Sequence, residues 1–599
     1  MRAASEDLYH DTDSKVSDHG KTIIPHALLV QVFSKKNIAR FFELNRLKSS
    51  EYPIGETVRR ICGNGEPDQL GSFARIFALL LLCGKHEYIF DFFENGFDDT
   101  VFPFRVTAAT KWSRSVCPRT REEGPITGWE DMTCEHFVTS QWRVNLPLFE
   151  LGPNGMALHQ DFEQEQIMPW YDCHLRNDSS SSTGGSGPAT ADSLAPGGGY
   201  SEVSKVIMHD GHHRFGAYSK THPSSRSPAA FAVKKLKTLK SEDFDQEVKM
   251  LRNLGGKVPH TVKLLATFRH GRTFCLVFPW AECDLLEYWF RLPGPPPVDA
   301  VLARWVSEQC LGLVKALSWM HDPKGAVLDP KNHEPLFGRH GDIKPENILW
   351  FLDSAGPSHL DEGQLVISDF GLSALNHKDT RTGIDNKNIM NTRAYAPPES
   401  ILPDDGISRA IDIWALGCVY LEFVTWLLGG HNLVAVFREA RNSLFLSTKV
   451  KNDTFWELQH VEDSSGVRQP VRVVKPSVTN WIQTLHDKPR ATSFVKEFLG
   501  VIQNSMLMIE KEQRKTSEEL IPLFQSLNDK CNAANGAEYC TKPASLSSPR
   551  FIEPQFPVVR HLSDQVQEMV NKSETPLPRY TGAAVGGLLA PPSLLQLRI

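Results

Sequence analysis

The chain has 599 residues, which is too long for one ordinary domain, so we expect two or three folded units joined by linkers. Its 41% hydrophobic and 23% charged residues are typical of a soluble globular protein, and the net charge of -6 argues against a nucleic-acid-binding surface over the whole molecule. Eleven cysteines without a recurring spacing argue against a disulfide framework or a structural zinc site. We therefore expect a soluble intracellular protein, cytoplasmic or nuclear, that binds neither nucleic acid nor membrane.

The first 175 residues divide into two predicted parts. Residues 1–20 are polar and predict a disordered tail, whereas residues 21–175 predict a mainly helical N-terminal domain of unknown role. Within it, apolar residues recur at helical spacing in SFARIFALLLLCGKHEYIFDFFENGF, and Gly84 is a plausible helix stop. Aromatic residues at this density favour a packed core over a ligand cage, and they include Trp112, Trp129, Trp142 and Trp170.

Three further segments follow. Residues 176–193 are rich in Ser and Gly and predict a linker, and residues 194–527 predict one large domain of alternating strands and helices. Residues 528–599 collect Pro, Ser and Gly and predict a largely disordered tail. Two polar insertions, one of which carries His209, His212 and His213, are interpreted as surface loops rather than as a metal site.

The large domain begins with a glycine-rich stretch, PGGGYSEV. Aligned on Val203, the three glycines of a GxGxxGxV pattern fall on Pro196, Gly198 and Ser201, so only the middle glycine is present. Small residues let backbone N–H groups approach phosphates closely. By itself this stretch is weak evidence, because the end of a Gly-rich linker looks similar.

A strand and a helix then supply a cation and a carboxylate. FAVKKL contains Ala232 and Lys234, and Glu247 follows 13 residues later in the helical pattern FDQEVKMLRNL. A carboxylate there could hold the lysine extended through a charge-assisted pair. Next comes the hydrophobic strand FCLVFPWAE, which Pro279 interrupts shortly before Ala281.

The most informative stretch is HGDIKPENILW. It presents Asp342, Lys344 and Asn347, and ISDFG adds Asp369 after a second short strand. Two strands joined by a polar loop would place Asp342, Asn347 and Asp369 at strand ends around one cleft. Phosphoryl transfer requires such a set: a base, a cation, and carboxylate and amide ligands for magnesium.

Three later motifs extend the ordered set. They are NTRAYAPPE with Thr392 and Glu399, DIWALGCV with Asp412, and KEQRKTSEEL with Arg514. Together with the earlier motifs they resemble the eukaryotic Ser/Thr protein kinase superfamily over about residues 194–527, with Pro397 in place of the usual alanine. The N-terminal block resembles the kinase-preceding region of a group of filamentous-fungal proteins.

The resemblance implies an α+β, bilobal protein-kinase fold, with a small β-rich N-lobe and a larger helical C-lobe, preceded by the helical N-terminal domain. It implies ATP and Mg²⁺ as cofactors and Ser/Thr hydroxyls of proteins as acceptors. Asp342 and Lys344 would be catalytic, and Asn347 and Asp369 would bind the metal. The implied nucleotide-binding residues are Gly198, Ser201, Val203, Ala232, Lys234, Glu247, Pro279 and Ala281. The implied activation-segment and structural residues are Gly371, Thr392, Glu399, Asp412 and Arg514.

Two other functions stay open at this point. Small-molecule phosphotransferases of the aminoglycoside or choline type also use HGD and a following Asn, but they usually lack the lysine at position 344 and the segment around Glu399. A catalytically silent pseudokinase would be expected to lose Lys234, Asp342 or Asp369, and none is lost.

Gly341 stands where most protein kinases carry arginine. Glycine offers no cation to a phosphorylated activation segment, so we expect phosphorylation within residues 372–390, for instance at Thr380 or Thr382, not to be the main switch. Loss of activity on phosphatase treatment would contradict this expectation.

Overall fold

The structure is a computed structural model. It describes residues 22–47, 51–63, 72–110, 113–120, 124, 126–172, 201–216, 230–237, 241–297, 299–324, 327, 333, 336–352, 363–370, 374–376, 393–401, 408–444, 451–462 and 468–543.

The described residues form fourteen α-helices. They are α1 (His26–Val32), α2 (Lys35–Leu44), α3 (Ile54–Cys62), α4 (Ala74–Leu82), α5 (Ile89–Glu94), α6 (Asp131–Ser140), α7 (Ser241–Asn253), α8 (Leu285–Phe290), α9 (Ala300–His321), α10 (Ala410–Arg441), α11 (Pro476–Asp487), α12 (Ser493–Val501), α13 (Ser517–Asn532) and α14 (Gly536–Thr541).

The same residues form twenty strands. They are β1 (Phe104–Thr110), β2 (Ser113–Pro118), β3 (Ile126–Thr127), β4 (Phe149–Glu150), β5 (Leu158–Phe162), β6 (Trp170–Asp172), β7 (Ser201–Met208), β8 (His213–Arg214), β9 (Ala230–Leu236), β10 (Ala266–His270), β11 (Thr273–Pro279), β12 (Cys283–Asp284), β13 (Phe337–Arg339), β14 (Ile348–Phe351), β15 (Gln364–Ile367), β16 (Ala374–Asn376), β17 (Ser443–Leu444), β18 (Lys451–Asn452), β19 (Trp456–Glu462) and β20 (Arg468–Val474).

The chain divides into two compact units. The first unit comprises Met1–Ala195, Ser204–Leu239 and Leu265–Pro279. The second unit comprises Pro196–Val203, Lys240–Leu264 and Trp280–Ile599.

Helices α1 to α6 of the first unit surround an aromatic core. Phe42, Phe77, Phe92 and Phe137 are at most 1% exposed, and the ring centroids lie 5.6 Å apart for Phe42 and Phe77 and 6.3 Å apart for Phe92 and Phe137. Helix α4 ends at Leu82, and Gly84 follows with φ at 64°, so the predicted helix stop is confirmed. The predicted core role of Trp129, Trp142 and Trp170 is confirmed by exposures of 6, 6 and 4%, and Trp112 lies outside the described residues.

A six-stranded sheet in the order β5-β10-β11-β9-β7-β6 completes the first unit. Strands β9, β10 and β11 pair antiparallel, β5 runs parallel to β10, and β6 runs antiparallel to β7. The two outermost strands, β5 and β6, therefore come from the predicted N-terminal domain. These strands share one sheet with strands that lie past residue 175, the predicted end of the N-terminal domain, and that boundary stays a prediction.

The second unit is mainly helical, with α9 and α10 buried along most of their length. The predicted apolar stripe of α9 is confirmed for Leu302, Trp305, Val306, Leu313 and Leu317, which are at most 6% exposed. Val301 is the exception, because it is 54% exposed at the first turn of the helix.

Among the described residues, α10 is the one helix long and apolar enough to cross a membrane, with 94% of its apolar window buried. Packing in the core of the second unit accounts for this apolar composition, since a helix that is hydrophobic on all sides is buried.

The C-terminal helices extend past the predicted domain end. Helix α13 continues to Asn532, and α14 follows it. Leu527 is 3% exposed and Cys531 is fully buried, because they continue the helical spacing of Leu520 and Phe524. Residue 527, the predicted end of the large domain, thus falls inside a packed helix, and that boundary stays a prediction.

Candidate active site

The loop from His340 to Asn347 connects β13 to β14 in the second unit. The Asp342 carboxylate accepts hydrogen bonds from Lys344 Nζ at 2.8 Å and from Asn347 Nδ2 at 2.9 Å. Asn347 Nδ2 also donates to the Asp342 carbonyl at 2.8 Å, and Ile343, 2% exposed, anchors the loop in the core. The structure thus brings three of the predicted residues together.

The backbone next to Asp369 is tied to the same loop. The Ser368 N–H and hydroxyl both donate to the Asn347 carbonyl, at 2.9 and 3.0 Å, and His340 Nε2 donates to the Ser368 carbonyl at 2.9 Å. Strands β14 and β15 pair antiparallel on either side, which confirms the two predicted strands. Asp369 has φ at 59°, a left-handed conformation that is uncommon for residues other than glycine.

Asp412, at the start of α10, accepts hydrogen bonds from the backbone of the loop from His340 to Asn347. Its carboxylate accepts the His340 N–H at 2.9 Å, the Gly341 N–H at 2.8 Å and a bond from His321 Nε2 at 2.9 Å. Burial alone would raise the pKa of Asp412, but the hydrogen bond and charge of His321, with smaller contributions from His340 and Gly341, hold it below its ordinary value. An ionised Asp412 can therefore accept all three bonds.

The predicted pair of Glu399 and Arg514 is present and buried. Both guanidinium nitrogens donate to the two carboxylate oxygens at 2.7 Å, and each residue is 5% exposed. Arg514 also donates to the carbonyls of Met508, Ile509 and Ala410. The pair therefore connects the segment around Glu399 with α10 and with the loop before α13.

The sequence did not predict a second buried ionic cluster around Glu422 of α10. The Glu422 carboxylate accepts hydrogen bonds from Arg438, Arg441 and the Tyr395 hydroxyl, at 2.7 to 3.1 Å. Burial alone would raise the pKa of the Glu422 carboxyl, but the charges of the two arginines outweigh it and lower the pKa. A lone glutamate within the apolar run CVYLEFV was the signal that a buried partner had to exist.

Catalytic-loop residue Glu346 lies near this cluster. Burial raises the pKa of its carboxyl, and the charges of Lys344 and Arg438 counteract this in part. The cluster and the catalytic loop therefore share one electrostatic environment.

The predicted nucleotide-binding residues are distributed over both units. Lys234, 3% exposed, and Ala232, fully buried, point to the same face of β9 in the first unit, and Pro279 ends β11. In the second unit, Glu247 lies on α7 at 8% exposure and Ala281 is 3% exposed. The pairing of Lys234 with Glu247 stays a prediction.

The other predicted positions either lie on β7 or fall outside the described residues. Ser201 and Val203 are the first and third residues of β7. Gly198, Gly371, Thr392, Thr380 and Thr382 lie outside the described residues.

The predicted surface loop with three histidines is not fully a surface loop. His212 is 5% exposed, donates from Nδ1 to the Pro147 carbonyl and accepts the His26 N–H at Nε2, both at 2.9 Å. It is a packed structural residue, and no group of three metal-ligating side chains occurs in the part of the chain that the structure describes.

Comparison with known proteins gives a consistent result. The sequence profile of the protein kinase domain matches residues 214–522, more than half of the chain. Mouse cyclin-dependent kinase-like 4 is 29% identical over 180 residues, 30% of this chain and 43% of that protein. Serine/threonine-protein kinase ssn3 of Emericella nidulans is 26% identical over 248 residues, 38% of this chain and 52% of that protein.

Cyclin-dependent kinase 14 of Xenopus tropicalis is 25% identical over 218 residues, 36% of this chain and 43% of that protein. The chain spans about half of the length of these relatives or less. The profile match begins after β5, β6 and β7, although these strands belong to the sheet of β9 to β11. The α+β fold class and the resemblance predicted from the motifs are confirmed, and the chain belongs to the protein kinase domain family.

Proposed function

We propose that this protein is a catalytically active kinase that transfers the γ-phosphoryl group of ATP to Ser or Thr hydroxyls of protein substrates. The observation that carries the proposal is the arrangement of Asp342, whose carboxylate is held by Lys344 at 2.8 Å and Asn347 at 2.9 Å. The same loop is bonded to the residue before Asp369. These groups supply a base, a cation and metal ligands within one loop system.

Each of these residues has a separate proposed role. Asp342 orients the acceptor hydroxyl and accepts its proton, and Lys344 neutralises charge on the phosphoryl group as it transfers. Asn347 donates through its amide nitrogen, so its oxygen is the atom suited to a metal ion, as is the Asp369 carboxylate. Two hard oxygen donors fit Mg²⁺, which when bound neutralises the phosphate charge.

The proposed nucleotide-binding residues include Lys234 on the six-stranded sheet of the first unit. Lys234 lies on a central strand and would reach the α and β phosphates, paired with Glu247. Strands β6 and β7 are antiparallel neighbours, and the chain that joins them contains PGGG. This is the arrangement expected of a phosphate-covering hairpin, so we propose that the kinase fold begins at β5 or β6 rather than at residue 194.

A protein acceptor is favoured over a small molecule by the segment that follows the catalytic loop. The buried pair of Glu399 and Arg514 fixes a segment that small-molecule phosphotransferases lack. One of the relatives named above, ssn3 of Emericella nidulans, is a serine/threonine-protein kinase by name. We therefore propose an unidentified protein substrate.

The test is phosphoryl transfer from radiolabelled ATP with Mg²⁺ by the purified full chain. The acceptors are mixed proteins in one set of reactions and aminoglycosides and choline in another. We expect label on protein, and we expect Asp342→Ala and Asp369→Ala to reduce it by about 10²–10⁴-fold because each removes a charge that the transition state needs. Lys234→Arg should also reduce transfer sharply, because a guanidinium does not reproduce the position of the ammonium.

The matched control is Asp322→Asn. Asp322 is a partly exposed carboxylate that pairs with Lys324 at the end of α9, and its loss should leave transfer unchanged. Equal turnover by Asp342→Ala and the unmodified protein would refute the site assignment. Label on a small molecule alone, or no label with any acceptor, would replace the proposal with a phosphotransferase or a pseudokinase.

A further inference from the structure

Helix α10 turns back on itself and brings an arginine of its last part to a glutamate of its first part. Its backbone breaks at Gly430, where φ is 70° and ψ is -169°. Arg438 lies 16 residues after Glu422, a separation of about 24 Å along the axis of a straight helix. Arg438 Nη2 nevertheless donates to the Glu422 carboxylate at 2.7 Å, so the chain reverses direction at the break.

Contacts with a neighbouring segment fix the direction of this reversal. Two backbone N–H groups just after the break donate to the carbonyls of Leu292 and Pro293, at 2.9 and 3.0 Å. A Cβ at Gly430 would clash with the carbonyl oxygen of Gly294, so glycine is required at the break. We call residues 431–441 the returning arm, and these contacts give it a defined position.

The returning arm supplies most partners of the Glu422 carboxylate. Arg438 donates to it through Nε and Nη2, Arg441 donates at 3.0 Å, and the Tyr395 hydroxyl donates at 2.9 Å. The side chains of Glu422 and Arg441 are 0% and 1% exposed, whereas that of Arg438 is 31% exposed. Arg438 is therefore the cation of this cluster that reaches the protein surface.

The catalytic loop contributes a second carboxylate beside this cation. Burial raises the pKa of the Glu346 carboxyl, and in addition the charges of Lys344 and Arg438 lower it and the charge of Glu422 raises it. These charges act on Glu346 because it lies close to the cluster. Glu346 Oε2 is buried and accepts no hydrogen bond from any residue that the structure describes.

The cluster also includes the segment that we propose receives the acceptor protein. Tyr395 precedes Glu399 in that segment, and the buried pair of Glu399 with Arg514 fixes it. Arg438 Nη2 donates to the Tyr395 hydroxyl at 3.1 Å. One partly exposed guanidinium thus lies beside the catalytic loop and bonds to both the acceptor segment and α10.

This arrangement decides which charge a bound acceptor can bring to the same place. Two neighbouring carboxylates repel each other and attract a cation, which a basic side chain of a bound protein could supply. In this chain Arg438 supplies the cation from within. A second cation brought by the acceptor would meet a like charge, and such a contact is unfavourable.

We propose that Arg438 determines acceptor specificity, because its guanidinium takes the place that a basic residue near the acceptor hydroxyl would otherwise occupy. Acceptor sequences with neutral or acidic residues at the matching position are used, and those with arginine or lysine there are rejected. The inference rests on the proposed function and names a class of protein substrate for the same site. Arg438 acts on the choice of acceptor and not on the transfer step.

The test is phosphoryl transfer from radiolabelled ATP with Mg²⁺ by the full chain to an arrayed peptide library. Each pool has a central Ser or Thr acceptor, a fixed residue at one flanking position and mixed residues elsewhere. The measured quantity is the ratio of label in the arginine-fixed pool to label in the alanine-fixed pool. For the unmodified chain we expect a ratio below one at the position that Arg438 controls.

Three single variants examine the charge of Arg438. Arg438→Met keeps the apolar stem and removes the charge, so the acceptor's arginine can pair with the carboxylates in its place, and the ratio should rise about ten-fold at that position. Arg438→Lys retains a cation and should keep the ratio of the unmodified chain. Arg59→Met is the matched control, since it removes an exposed arginine paired with Glu56 on α3, and it should change no ratio.

Two further variants separate specificity from stability. In the double variant Arg438→Met with Glu346→Gln the gain should disappear, because glutamine offers no charge to the acceptor's arginine. Arg438→Gln retains a hydrogen-bond donor for Glu422 and replaces Arg438→Met if thermal unfolding shows that the latter does not fold. A uniform loss of label with unchanged ratios would reveal a structural role alone and would overturn the inference.

The remaining outcomes distinguish this inference from the proposed function. Label in the pools with ratios of one or more at every position for the unmodified chain, or with equal ratios for Arg438→Met, would overturn the inference and leave the proposed function intact. Label on mixed proteins but in no peptide pool would also overturn it, because flanking residues would then not decide the choice. No label on any acceptor would refute the proposed function, and the inference with it.

Discussion

The backbone of Gly341 lies in the left-handed region, with φ at 87°, while its N–H donates to Asp412. The sequence predicted a regulatory meaning for this glycine, namely the absence of a cation for a phosphorylated segment. The structure adds a conformational reason, because residues with a Cβ adopt this φ at a cost. The conformational reason is observed in the structure, whereas the regulatory meaning of Gly341 stays a prediction.

Gly341→Ala should lower the free energy of unfolding by about 1–2 kcal/mol, because alanine is strained at this φ. Urea denaturation measures the change. Gly500→Ala is the control, since a Cβ on Gly500 of α12 would meet no atom within 4 Å, and helical alanine should stabilise by up to about 1 kcal/mol. Equal effects of the two substitutions would contradict the conformational argument.

Glu422 predicts a dependence of stability on pH. Because its pKa in the folded protein lies below its ordinary value of 4.5, its stabilisation is complete above about pH 4.5 and is lost as the pH falls through the folded value. Glu422→Gln should therefore cost about 3 kcal/mol at pH 6, where it leaves the buried Arg441 and the partly exposed Arg438 without a carboxylate. The difference from the unmodified protein should shrink below pH 4.5.

Urea unfolding of both proteins between pH 6 and pH 3 tests this expectation. The matched control is Glu497→Gln, which removes an exposed carboxylate paired with Lys530 and should differ little from the unmodified protein at any pH. A deficit for Glu422→Gln that is constant with pH would show that the charge of Glu422 is not responsible.

At the scale of elements, the pairing of β6 with β7 allows a test of whether the glycine-rich stretch between them contacts the phosphates of ATP. Alanine at Gly197, Gly198 and Gly199 together should raise KM for ATP several-fold, because backbone amides could no longer approach the phosphates closely. Deletion of residues 179–187 from the same connection is the control and should leave KM for ATP unchanged, since loop length has a small energetic cost. A higher KM for ATP after the deletion, together with an unchanged KM for the triple alanine variant, would show that residues 179–187 contact the phosphates instead.

Elements with a strong local pattern were predictable from the sequence. Helix α9 is 22 residues long and repeats apolar residues at helical spacing. Strands β14 and β15 flank a motif whose residue spacing is set by the groups that must contact phosphate and metal. The cluster of Asp342, Lys344 and Asn347 was predictable for the same reason. The partners of Asp412 were not, because hydrogen bonds to backbone N–H groups leave no mark in the sequence.

Strands β5 and β6 could not be predicted in the same way. They contain five and three residues, and neither alternates apolar and polar residues over a length that identifies a strand. Each acquires its structure from partners in a distant part of the chain. The Ser- and Gly-rich stretch that follows β6 also looked like a boundary between domains, although it connects β6 with β7 in one sheet.

At the scale of the whole molecule, the shared sheet predicts that the kinase region does not fold without the residues before it. A fragment of residues 194–527 lacks β5, β6 and the end of α13, and it should be insoluble or lack a cooperative thermal transition. Residues 22–543 contain every described element and should unfold at a temperature close to that of the full chain. Circular dichroism and differential scanning calorimetry measure both, and a cooperative transition in the shorter fragment would refute the expectation.

The parallel pairing of β5 with β10 also constrains the order in which the protein forms during its synthesis. Asp161 of β5 contacts Arg269 of β10 across 108 residues of sequence. At about 5–20 residues per second, a ribosome needs roughly 5–20 s to produce that interval, during which β5 has no partner on its inner edge. The aromatic helical core can assemble first, whereas the sheet must close late, and this interval is when a nascent chain of this protein is most exposed to aggregation and most dependent on chaperones.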